Sequence, residues 1–161
     1  MSANGDGHLS YSDYSFSAFH YDDGGRLLAG FKGDAGDCVT RAIAIAAEIP
    51  YHEVYKAMND LIKSSEEQVK HRGKPSARSG IPRVQYEKYL VSIGWEWIPT
   101  MTIGSGCQVH LKAAELPAGR IIARVSKHLC AVIDGVIHDT SDPSRGGTRC
   151  VYGYYREKQR I

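Results

Sequence analysis

The chain reads as an α+β protein, with N-terminal helices packed on a C-terminal antiparallel β-sheet. Three observations predict this. Apolar residues recur at helical spacing between positions 37 and 93, whereas β-rich runs fill positions 120–155. The two patterns are also segregated along the chain rather than alternating, which favours separate helical and sheet layers over a parallel βαβ arrangement. Finally, Asp134-Gly135 sits between two apolar runs and supplies the positive φ angles of a two-residue hairpin turn.

Each element follows in order. Residues 1–15, rich in Gly, Ser and Asp, are expected to be loosely ordered, with Tyr11, Tyr14, Phe16 and Phe19 available to lie across a groove or sheet edge. Tyr21-Asp22-Asp23-Gly24-Gly25-Arg26 has turn chemistry, and a short strand is expected over 26–31. A first helix is predicted from Asp37 to Glu48, buried through Val39, Ala42, Ile43, Ala46 and Ala47, with Asp37 or Gly36 as its N-cap. Ile49-Pro50 breaks it and starts a second helix over 51–63, whose apolar stripe is Val54, Tyr55, Met58, Leu61 and Ile62. Residues 64–80 read as a polar insertion. A third helix begins near Pro82, carries Val84, Tyr86, Tyr89, Leu90 and Ile93, and stops at Gly94.

Trp95-Glu96-Trp97-Ile98-Pro99 then reads as a strand with both indoles on one side, suited to covering the core or walling a cleft. A short helix is expected over 111–116, stopped by Pro117 and Gly119, and a central strand over 120–125. The last strand is placed at 150–155, packing one face and leaving a tyrosine edge. The hairpin between them has a register fixed by its turn. Ile133 faces Val136, Val132 faces Ile137, Ala131 faces His138 and Cys130 faces Asp139. His128, Cys130, Val132, Ile137 and Asp139 therefore share one face, which makes His128 and Asp139 diagonal neighbours within side-chain reach.

Composition bounds the function. At 161 residues the chain suits one domain spanning 1–161, and 42% hydrophobic with 24% charged residues excludes wholesale disorder. It has no apolar run long enough to cross a membrane, and its N-terminus lacks the blocks of a signal peptide, so a cytoplasmic location is expected. A net charge of only +2 argues against nucleic acid as the main partner. The basic segment 70–83, with Lys70, His71, Arg72, Lys74 and Arg78, forms at most a local patch for an acidic partner.

The four cysteines, Cys38, Cys107, Cys130 and Cys150, include no CxxC pair, which argues against a zinc ribbon or a thioredoxin motif. In the cytosol they are expected to be reduced, and a Cys130–Cys150 bond is disfavoured there. Nothing in the spacing favours a metal site built from Cys38, His128, Cys130 and Asp139, and no cofactor or metal is expected.

Cys38 lies where the glycine-bounded loop turns into the first helix. The unpaired N–H groups and positive end of that helix stabilise a thiolate and a developing oxyanion alike. An aspartate accepting from one imidazole nitrogen fixes the tautomer and leaves the other free to deprotonate a thiol. Asp142 is the runner-up acid, directly after the hairpin. His138 points to the opposite face and is the poorer base.

The order cysteine at a helix start, histidine opening a strand, aspartate on the next strand resembles the papain-like cysteine peptidase superfamily, especially its small bacterial and viral members and the bacteriocin-processing type. The resemblance covers residues 30–50 and 120–155. It implies a papain-like fold, Cys38 as nucleophile, His128 as general base and acid, and Asp139 as the orienting carboxylate. It also implies a protein or peptide substrate cleaved at a peptide, isopeptide or glutamine amide. Gly36-Asp37-Cys38-Val39-Thr40-Arg41-Ala42 is also similar, more weakly, to the cysteine motif of ovarian-tumour-type deubiquitinases, which places an aspartate where this chain has Ala35, with Asp34 one step earlier. Papain-like enzymes usually carry a glutamine six residues before the cysteine, and this chain has Lys32 there. That departure motivates the alternative reading, a non-catalytic papain-like binding protein acting as an adaptor or as a viral antagonist of a host factor.

Overall fold

Both faces of the hairpin carry apolar residues, so both must be covered, and the computed structural model shows by what. It describes residues 18–33, 35–65 and 75–160. The expectations for residues 1–15, for Tyr11, Tyr14 and Phe16, and for Lys70, His71, Arg72 and Lys74 lie outside the described residues.

In chain order the elements are β1 (Phe19–Tyr21), α1 (Cys38–Ala47), α2 (Tyr51–Ser64), α3 (Arg83–Ser92), β2 (Trp95–Pro99), β3 (Val109–His110), β4 (Arg120–Val125), β5 (His128–Ile133), β6 (Val136–Asp139), β7 (Cys150–Val151) and β8 (Gly153–Glu157). Six strands form one sheet in the order β1-β6-β5-β4-β8-β2, and β3 pairs with β7 in a separate ribbon. Every pairing is antiparallel except that of β1 with β6. The architecture is thus mixed α+β with a mostly antiparallel sheet.

The helices cover one sheet face. Residues 39–46 of α1 are all buried, as expected of a helix held between the sheet and α2. Ile43, Val54, Met58, Leu90 and Tyr155 join Ile122, Leu129 and Ala131 of the sheet in one apolar cluster. On the opposite face Ile121, Ala123, Cys130, Val132 and Ile137 pack with Leu111 and Val151 in a second cluster. The hairpin register is the predicted one at Ile133–Val136, Val132–Ile137 and Ala131–His138, with Asp134 (φ 48°) and Gly135 (φ 80°) supplying the turn. α1 ends at Glu48 in the left-handed region (φ 56°), and Pro50 precedes α2.

Several expectations are corrected. Residues 24–30 form turns rather than a strand, because Asp22 and Asp23 accept from the Gly24, Gly25 and Leu27 N–H groups at 2.8–2.9 Å and curl the backbone. The expected helix at 111–116 is a single 3-10 turn, Ala113–Glu115, preceded by β3. Val84 is exposed, since α3 turns Tyr86, Leu90 and Gln85 inward. The last strand is divided at Tyr152 into β7 and β8, and β8 lies inside the sheet between β4 and β2 rather than presenting a tyrosine edge. A Cβ at Gly153 would overlap the Trp97 ring, so this crossing requires glycine. The indoles cover the helix-side core, where Trp97 stacks on Tyr155 with ring centroids 4.7 Å apart.

The cysteines also depart from expectation. Cys107 and Cys150 form a disulfide, while Cys38 and Cys130 are free. Such bonds persist in oxidising compartments and are rare in the cytosol, so the bond does not settle a cytoplasmic location. Among the described residues no helix is long and apolar enough to cross a membrane.

Candidate functional site

β5 and β6 end side by side, and alternation brings His128 and Asp139 together at that end. His128 Nε2–H donates to Asp139 Oδ2 at 2.6 Å, and the Thr140 N–H donates to Oδ1 at 2.7 Å. With Nε2 engaged, His128 is electrostatically coupled to the Cys38 sulfur at the start of α1, and both side chains line the same cleft. The three residues predicted as a site are therefore brought together. Asp139 is buried, whereas Cys38 and His128 remain partly exposed.

Electrostatics follow from this arrangement. Burial pushes the Cys38 thiol up, but His128, the Leu129 N–H and Arg41 together outweigh it and hold the thiol below its ordinary value. Burial opposes charge on His128 as well, yet Asp139 and Cys38 raise its pKa to about 9. Asp139 is held below its usual carboxylate range despite burial, chiefly by His128 and Arg41. The arrangement favours a thiolate–imidazolium pair backed by a carboxylate.

Behind it stands a charge network that sequence reasoning missed. Arg41 Nη2 donates to Asp139 Oδ1 at 2.9 Å, and Nη1 donates to Asp37 Oδ1. Asp37 also accepts from the Tyr51 hydroxyl at 2.6 Å and stands 3.6 Å from Arg26, whose Nη1 in turn donates to the Tyr51 oxygen at 3.1 Å. Arg26, Asp37, Arg41 and Asp139 are all buried. The signal was present in Asp37 and Arg41, a charged pair one helical turn apart in an otherwise apolar helix, where an arginine must find carboxylates.

Because Asp37 is committed to Arg41 and Tyr51, its side chain does not cap α1. The first intrahelical bond runs from Arg41 N–H to Asp37 O at 3.0 Å, so the N–H groups of Cys38, Val39 and Thr40 precede the helical ladder. A cleft of about 570 Å³ opens here, lined by Gly36, Cys38, Ser79, Gly80, Ile81 and His128 among others. A Cβ on Gly36 would lie 3.3 Å from the Ser79 carbonyl oxygen, which shows how closely the 79–81 segment crosses the start of α1.

None of the other candidates hydrogen-bonds with His128, although Asp142 shares a second pocket with it. Asp142 accepts from the Ser144 N–H at 2.9 Å, and His138 Nδ1 meets Asp22 at 3.2 Å on the opposite face. Lys32 borders a separate pocket, and its carbonyl accepts from Arg26 at 3.1 Å. Cys130 is fully buried, and burial pushes its thiol far up. Among the described residues no group of three or more His, Cys, Asp or Glu is placed to hold a metal ion. Comparison of the chain with family models, with curated proteins and with solved structures gives no match.

Proposed function

We propose that the protein is a papain-like cysteine hydrolase acting on a peptide, isopeptide or glutamine amide, with Cys38 as nucleophile, His128 as general acid and base, and Asp139 as the orienting carboxylate. The observation that carries the reading is the Asp139–His128 hydrogen bond beside Cys38, which opens into the same cleft as His128 at a helix start.

The Cys38 thiolate attacks the amide carbonyl, forming the C–S bond and moving the carbonyl π pair onto oxygen. The Cys38 N–H and its neighbours at the start of α1 stabilise that oxyanion. As the oxyanion collapses the C–N bond breaks, and the His128 imidazolium gives its proton to the leaving amine. Neutral His128 then takes a proton from water, whose oxygen displaces the sulfur to release a carboxylic acid and restore the thiolate–imidazolium pair.

Alkylation with iodoacetamide tests the reading, because Cys130 is a buried internal control. Cys38 should react at neutral pH while Cys130 stays inert, and a peptide-amide electrophile should label the protein but not Cys38→Ala. Equal labelling of that variant overturns the assignment. Lys32, standing outside the cleft where the family carries an oxyanion-binding glutamine, favours a second reading as a non-catalytic binder. Labelling of Cys38 without turnover of any amide supports that reading.

A further inference from the structure

Ionic side chains at the cleft mouth are unequally compensated. The carboxylate lining the cleft is that of Asp37, which is buried and engaged by Arg41, Arg26 and Tyr51. Arg83 lines it too, but donates to Glu87 at 2.6 Å and lies over the Trp97 ring. Arg124 and Lys127 also line the cleft, and among the described residues neither forms an ion pair with a carboxylate. Arg124 rests 5.9 Å from the Tyr152 ring centroid. Lys127, in the tight turn joining β4 to β5, has a φ of 56° and is the residue immediately before His128.

Two cations without a carboxylate partner among the described residues line the cleft that holds Cys38, whose lining carboxylate is already engaged, and the positive field they create concentrates anionic ligands. Resting on the hydrolase reading above, we infer that the site selects acidic peptides, with Asp or Glu side chains flanking the scissile amide held by Arg124 and Lys127. Arg124 offers a planar fork suited to a carboxylate, and Lys127 a mobile point charge. A neutral peptide fills the same cleft but leaves both cations unpaired.

The test uses the full chain and three peptidyl vinyl sulfones that differ only in flanking residues, Glu-Glu, Gln-Gln or Lys-Lys, with the rate of Cys38 modification read by mass spectrometry. The Glu-Glu probe should react about 5-fold faster than the Gln-Gln probe, the size expected of one or two partly exposed ion pairs. The Lys-Lys probe should be slowest, and the spread should narrow at high salt. In R124E/K127E the order of Glu-Glu and Lys-Lys should invert, a result that misfolding does not produce. Lys158→Gln, which removes a cation at the opposite end of the sheet from Arg124, should keep the wild-type order. Equal rates for all three probes, or an acidic preference that survives R124E/K127E, overturn the charge selectivity while leaving the nucleophile assignment standing. Failure of every probe to modify Cys38 overturns the hydrolase reading and this inference together.

Discussion

Arg41 Nη2 meets Asp139 Oδ1 at 2.9 Å, while the other oxygen of the same carboxylate accepts from His128 at 2.6 Å. Asp139 thus faces both a permanent cation from the helix that carries Cys38 and the imidazole of the hairpin. Arg41 lies less than one helical turn after Cys38, so a single salt bridge ties the element bearing the sulfur to the element bearing the ring. In the proposed reaction Arg41 is a positioning residue, acting through Asp139.

Asp139→Asn should therefore cost more than a charge. The amide can present its NH₂ to His128 and favour the wrong tautomer, so the rate of amide turnover should fall by about 10⁴-fold if the residue works as in other triads. Steady-state kinetics with an acidic peptide amide, beside circular dichroism to verify folding, reads the effect. A loss under 10-fold in a folded variant would mean that Asp139 does not orient the base.

Arg41→Met removes the shared partner of two buried carboxylates. Breaking a buried pair by deleting one member typically costs about 3–5 kcal/mol, and urea denaturation should show a loss of that order. Because Asp37 and Arg41 are in direct contact, D37N/R41M should be less destabilised than the sum of its single variants. Additive losses would sink the claim that the network is one unit.

How far the sequence reaches is clear from particular residues. Val54 and Met58 of the stripe read for the second helix are buried, with Tyr51 buried beside them and Tyr55, Leu61 and Ile62 half-buried, and Asp134-Gly135 fixes the hairpin register, because both are local patterns. That register alone was enough to bring His128 and Asp139 together. Pairings between distant segments were not legible. Phe19 does lie at a sheet edge, one of its two expected places, but its strand's parallel pairing with β6 had no local signal, and β3 meets β7 through only two residue pairs, too short for any periodicity. Arg41 was passed over because its neighbours mark an apolar helix, and its partners, Asp37 apart, are distant in sequence.

The Cys107–Cys150 bond joins β7 to the loop before β3 across a sequence separation of 43. In the chain-entropy account a loop of this length is worth about 4 kcal/mol through restriction of the unfolded chain. Reduction, or Cys107→Ser, should lower Tm accordingly, whereas reductant should not shift the Tm of Cys107→Ser. A wild-type Tm unchanged by complete reduction, verified by thiol counting, would show that the bond contributes nothing.

The pH dependence follows from the directions of three shifts. His128 has a folded pKa of about 9 against an ordinary 6.5, so the stability it contributes is full below 6.5 and is lost as pH rises through about 9. Asp139 is shifted the other way, and its contribution is present above the ordinary carboxylate value and lost as pH falls through its depressed one. The thiolate–imidazolium pair then exists between the lowered Cys38 pKa and about 9, and its two limbs belong to the coupled pair rather than to either residue. Thus kcat/KM should be bell-shaped, with an alkaline limb near 9. In Asp139→Asn the carboxylate that raises His128 is gone, so that limb should move toward neutral pH, by an amount readable even when turnover is slow. Arg41→Gln should move it little, because His128 and Asp139 keep their direct hydrogen bond. A wild-type profile that shows no alkaline limb up to pH 10 would speak against the Cys–His pair. An alkaline limb left in place by Asp139→Asn would mean that another group controls the imidazole.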